Sequence, residues 1–179
     1  MALGLALSRL NIKLSVSRIR DRMTILTSFE ELFTEESCRR IANQFSFSYD
    51  ETNSHNYAMA KFMSDSVQYL KEESAKNTNT ELHQICFILS DGRFNKEYVR
   101  PHITEAERHN QTYIFIIVDR KEVEDSVMSI KSPVKGNDNK YTFKRYMDDF
   151  PFEYYLIVRD VSELSSILAD VLRQYFEQK

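Results

Sequence analysis

Three unbroken apolar runs constrain this chain more than any other feature: ICFIL (85–89), YIFIIV (113–118) and YYLIV (154–158). Runs without polar alternation are what strands covered on both faces show, as in the middle of a mainly parallel sheet. A helical pattern at 97–110 separates the first two runs. Another at 164–177 closes the chain, with Ile167, Leu168, Val171, Leu172, Tyr175 and Phe176 as its inner face. Strand, helix, strand, helix implies right-handed crossovers and a layered α/β sandwich.

Upstream the pattern is less regular. Residues 3–10 read as part of a helix, and 13–19 and 23–29 as strands joined by the charged turn RDR. Residues 34–45 read as a helix with Cys38, Ile41, Ala42 and Phe45 on one face. A longer helix at 56–73 buries Met59, Phe62, Met63 and Leu70. With 179 residues, 42% hydrophobic and 28% charged, the chain has material for one core, and a single domain is expected. The net charge is −3 and the basic residues are scattered along the sequence, which argues against a nucleic-acid footprint. Cys38 and Cys86 lie apart in apolar surroundings without zinc spacing, as free thiols of a reducing compartment would. The apolar start MALGLALSRL is too short to span a membrane and lacks the marks of a signal peptide, so a soluble intracellular protein is expected.

Residues 120–152 break the alternation and form an extended insertion, long for a strand-to-strand connection. Its centre, KGNDNK, has the composition of a mobile tip. Tyr141, Phe143, Tyr146, Met147 and Phe150 are apolar enough that the insertion could instead fold over the domain or onto a partner.

Each buried run ends near an aspartate: Asp91, Asp119 and Asp160. In open α/β sheets the carboxyl ends of the strands form the ligand-binding edge. Asp160 precedes the last helix and suits a capping role, and Asp119 suits a simple loop role with no evident partner. Asp91 differs, because Gly92 permits a tight backbone approach and Ser90 adds a hydroxyl. Oxygen ligands at such an edge suit a hard cation such as magnesium.

The stretch ILSDGRF resembles the strand-Asp-Gly motif of von Willebrand factor type A domains. Thr52, in DETNSH before a helix, stands where that family's metal-binding threonine falls. IKSPVKG, YMDDFPFEYYLIVRDVSEL and LADVLRQYFE look like the C-terminal end of the midasin family of AAA-type ATPases. The resemblance implies a three-layer α/β/α sandwich over residues 1–179, with Thr52 and Asp91 as magnesium ligands and Asp50, Asn53, Gly92 and Arg93 on the partner surface. It further implies a role in large-subunit (60S) ribosome assembly and export, in the nucleolus and nucleoplasm. The partners it implies are ubiquitin-like domains of assembly factors and the pre-60S particle, with no direct nucleic acid and no membrane.

The family's first strand, with Asp-x-Ser-x-Ser, has no counterpart before Lys13; DVSEL at 160–164 lies on the last strand and lacks the final serine. On that resemblance the chain is expected to be N-terminally truncated, to be marginally stable, and to hold magnesium weakly or not at all. No phosphate-binding loop is present, so recognition is expected rather than catalysis. A generic intracellular scaffold of the same fold is the nearest alternative. An enzyme using Asp91 finds no second acid, and His55, His83, His102 and His109 sit in polar contexts.

Overall fold

The computed structural model describes residues 12–19, 22–44, 57–76, 82–119, 122, 124, 126–135 and 140–177. The expected helix at 3–10, the tip at 136–139, and Asp50, Thr52 and Asn53 lie outside them. The chain divides into two compact units: Met1–Asp65 with Ser162–Lys179, and Ser66–Val161.

In the first unit, β1 (Val16–Ile19) and β2 (Met23–Thr27) form an antiparallel hairpin with an irregularity between Val16 and Ser17. The buried Thr27 hydroxyl accepts from the Val16 amide at 3.1 Å, and the Ser15 hydroxyl donates to the Thr27 carbonyl at 2.8 Å. Helix α1 (Glu35–Gln44) begins where Thr34 and Ser37 bond each other's backbone reciprocally, which occupies amides that a helix start leaves open. Its apolar face is shallower than expected: Cys38 is buried, Ile41 half-buried and Ala42 exposed. Helix α2 (Ala58–Ala75) starts in this unit and continues into the second, and Met59, Phe62, Met63 and Leu70 are all buried as expected. The closing helix α4 (Leu164–Glu177) has the expected bounds, but none of its residues is buried and Phe176 is exposed. Periodicity marks which side of a helix is apolar; it does not fix how deeply that side is covered.

In the second unit, β3 (Gln84–Ser90), β4 (Gln111–Val118) and β7 (Tyr154–Val158) form a parallel sheet in the order β3-β4-β7. Helix α3 (Lys96–Glu107) connects β3 to β4 and packs against β4. The α/β class and the parallel sheet are as expected. Burial on both faces holds for β4 alone, whose Tyr113 to Ile117 are all buried; β3 exposes Leu89, and β7 exposes Tyr154 and Tyr155. The reason is position, since β4 lies between the other two and each of them has one unpaired edge among the described strands.

Two internal bonds tie the second half of α2 to β4. The Ser66 hydroxyl meets the Tyr113 hydroxyl at 2.6 Å, and the Gln111 side-chain amide donates to the Val67 carbonyl at 3.1 Å. Burial pushes the Tyr113 phenol far up and the Cys86 thiol up to about 12, so the side chain of Cys86 is shielded although the residue as a whole is half-buried. The 120–152 insertion holds a second antiparallel hairpin, β5 (Lys131–Lys135) with β6 (Tyr141–Arg145), between short 3-10 turns at Val127–Ser129 and Tyr146–Asp149.

Candidate functional site at the strand carboxyl edge

β3 delivers Asp91 directly beyond its last residue, and the chain reverses at once. One Asp91 carboxylate oxygen accepts the Arg93 amide at 3.0 Å and faces the Ser90 hydroxyl at 3.4 Å. This is the local side-chain turn that aspartate favours after a strand. Gly92 follows with φ +74°, and an added Cβ would stand 3.2 Å from a side-chain carbon of Ile117 on β4. The positive φ therefore favours glycine here, and an added side chain would also crowd Ile117. Asp91 and Arg93 are exposed while Gly92 between them is buried. Asn95 then caps α3, its side chain accepting the Glu97 amide at 3.1 Å.

The insertion locks this turn in place. The Tyr146 hydroxyl accepts the Phe94 amide at 3.1 Å and aims its single hydrogen between the Gly92 and Phe94 carbonyls, each 2.9 Å away. Burial pushes the phenol above its usual range. Lys96 donates to the Tyr146 carbonyl at 2.7 Å, lies 4.5 Å over its ring and pairs with Asp149. Arg100 donates to the Asp149 carbonyl at 2.7 Å, and Lys144 approaches the same carboxylate at 3.4 Å. The Lys96 hydrogen bond holds the Asp149 carboxyl below the usual carboxylate range. Its folded value is depressed, so the pairing stabilises above the ordinary carboxylate range and is lost as pH falls through the depressed value.

Beneath the turn lies a cluster of four phenylalanines. The fully buried Phe115 has ring centroids at 5.5 Å from Phe94, 5.3 Å from Phe150 and 4.8 Å from Phe152. Phe94 from the turn and two rings from the insertion's end thus meet on one residue of β4. Of the two alternatives for the insertion's aromatics, folding over the domain holds for Tyr146, Met147 and Phe150, whereas Tyr141 and Phe143 are not covered by the domain and stay exposed on β6.

Asp119 proves to be structural, with partners the sequence did not reveal. Its buried carboxylate accepts the Ser126 hydroxyl at 2.6 Å and the Val127 amide at 3.0 Å, capping the 3-10 turn that opens the insertion. Arg159 reaches it at 4.0 Å. Asp160 stands before a 3-10 turn, Val161–Glu163, rather than directly before α4.

Of the anticipated site residues, Asp91, Gly92 and Arg93 come together in one turn, while Thr52, Asp50 and Asn53 lie outside the described residues. The described turn supplies one exposed carboxylate and one hydroxyl, and the described residues contain no group of three acidic, histidine or cysteine side chains that could hold a metal. Sequence reasoning missed Asn95, Lys96 and Asp149, and it marked Tyr146 only as an apolar residue of the insertion, without its hold on the turn. Asn95 alone had a local signal, a capping residue before a periodic run. Tyr146 and its partners are some fifty positions apart, and no spacing rule reaches that far.

Tyr146→Phe keeps the ring and removes the hydroxyl that three backbone groups share. Urea unfolding should show a loss of about 1–3 kcal/mol. The Phe94 amide should exchange its hydrogen faster while the β4 amides are unchanged. An unaltered Phe94 amide would mean that the turn holds itself.

No family model matches the chain. Over 175 residues, 96% of the chain, it is 30% identical to midasin from Dictyostelium discoideum; over 171 residues, 92% of the chain, it is 27% identical to midasin from Giardia intestinalis. It spans about 3% of the length of these curated relatives. Among solved structures, the crystal structure of the conserved hypothetical protein BatB from Bacteroides thetaiotaomicron aligns with a TM-score of 0.55 at 10% identity, covering 98% of this chain and 87% of that one. At that identity the likeness concerns the fold alone, an α/β architecture with a parallel sheet flanked by helices. The chain is thus related, along nearly its whole length, to a short region of the midasins.

Proposed function

We propose that this chain is a protein-recognition module equivalent to the C-terminal von Willebrand factor type A domain of midasin. In that role it binds the ubiquitin-like domain of a ribosome assembly factor during 60S assembly and export in the nucleus. The observation that carries the reading is the Asp91–Phe94 turn, which is pinned from beneath by Phe115 and from the side by Tyr146 and presents Asp91 and Arg93 outward at the sheet's carboxyl edge. A pre-formed polar turn on a rigid sheet loses little freedom on binding. Arg93 offers a planar fork to an acidic side chain of the partner.

The role is binding, not catalysis. The Cys86 thiol, pushed up to about 12, is no thiolate at neutral pH, and Asp119 is committed to its turn. With one carboxylate in the described turn, magnesium should bind no tighter than millimolar by calorimetry. Similarity to midasins over nearly the full chain favours this reading over a generic scaffold of the same fold. The test is capture of a ubiquitin-like assembly-factor domain by the 179-residue chain, its Asp91→Ala variant and its Arg93→Glu variant. Both variants should capture less than a tenth as much. Equal capture by all three would remove the turn from the interface.

A further inference from the structure

The β5–β6 hairpin carries a face unlike any other among the described residues. Residues directly opposite in a ladder share a face. The register sets Lys131 against Arg145 and Pro133 against Phe143, and Tyr141 lies two positions from Phe143 on the same side. All of β6 is exposed, with Tyr141 at 66% and Phe143 at 74%. The opposite face carries Lys144, which is paired with Asp149, so the aromatic face is the one pointing away from that contact.

The charge on this segment departs from that of the whole chain. Between positions 131 and 145 stand Lys131, Lys135, Lys140, Lys144 and Arg145 against Asp138 alone, although the chain's net charge is −3. Scattered basic residues argue against a nucleic-acid footprint in sequence, but the ladder brings Lys131 and Arg145 together on the aromatic face. Lys131 and Arg145 oppose each other directly, a like-charge pair that weakens a ladder unless an anion lies between them.

We propose that this face binds single-stranded nucleic acid, the two rings stacking on successive bases and the flanking cations meeting phosphates. Two rings on alternate residues of one strand lie about 7 Å apart along it, which leaves room for one unstacked base on each. Exposed aromatics on a small sheet, flanked by Lys and Arg, are the parts a stacking platform needs. An acidic peptide would satisfy the cations and leave both rings in water; a nucleic-acid strand satisfies both. This surface is separate from the Asp91 turn and does not depend on the protein partner proposed above.

Fluorescence anisotropy with the 179-residue chain tests it, using a labelled ten-nucleotide oligouridylate, the corresponding oligothymidylate and a decaglutamate peptide. At low salt at least one oligonucleotide should bind, and more tightly than decaglutamate. Tyr141→Ala with Phe143→Ala should weaken that binding by about 25-fold or more. Lys131→Gln with Arg145→Gln should flatten the log–log salt dependence by about 1.4. All four residues are exposed, so circular dichroism should show both variants folded. Failure of both oligonucleotides to bind, binding untouched by the aromatic substitutions, or tighter binding of decaglutamate would overturn the proposal.

Discussion

Phe115→Ala should destabilise the second unit by about 3–5 kcal/mol, the range for deleting a large aromatic from a packed interior. Phe115 is fully buried and is the ring on which Phe94, Phe150 and Phe152 converge. Against a total of roughly 5–15 kcal/mol for a domain, a loss of this size brings the urea midpoint down sharply. On the proposed reading the substitution should also weaken recognition, because Phe94 anchors the turn that carries Asp91. Phe143→Ala, on the exposed face of β6, serves as the comparison and should stay within about 0.5 kcal/mol of the parent. Equal midpoints for the two variants would mean that the cluster does not hold the sheet and the turn together.

The second large effect is expected at Asp119. Alanine there would leave the Ser126 hydroxyl and the Val127 amide, both buried, without the carboxylate they donate to. Each buried group left unsatisfied costs about 1–3 kcal/mol, so a loss of about 2–6 kcal/mol is expected in denaturant unfolding. Asp119→Asn keeps one acceptor oxygen and should lose less than half as much. If both substitutions cost the same, charge rather than hydrogen bonding is what Asp119 contributes, and Arg159 at 4.0 Å becomes the relevant partner.

These two residues also show where sequence reading stops. The run YIFIIV marked β4 as a strand covered on both faces, and the structure buries Tyr113 to Ile117 as that pattern implies, leaving only Val118 at the strand end exposed. ICFIL and YYLIV are equally unbroken apolar runs but are outer strands of the described sheet, and apolar content alone carries no rank within a sheet. Asp91 was legible because its chemistry is local: a strand end, a glycine with φ +74° and a carboxylate that bonds an amide two residues on. The partners of Asp119 lie seven and eight residues downstream, inside a segment without periodicity. The hold of Tyr146 on the turn crosses more than fifty residues and depends on how the insertion returns to the sheet. For Tyr141 and Phe143 aromatic content could not separate cover by the domain from a face open to a partner, and the hairpin leaves both rings exposed.

On the proposed reading, recognition takes place at the turn joining β3 to α3. Hydrogen exchange of the chain alone and saturated with a ubiquitin-like assembly-factor domain tests it residue by residue. Protection on binding should appear at the amides of Gly92, Arg93 and Asn95 and at the first turn of α3, with little change at the Gln111 and Thr112 amides at the other end of β4. Protection confined to Gln111, Thr112 and the start of β7, with the Asp91–Phe94 turn unchanged, would place the partner at the opposite end of the sheet.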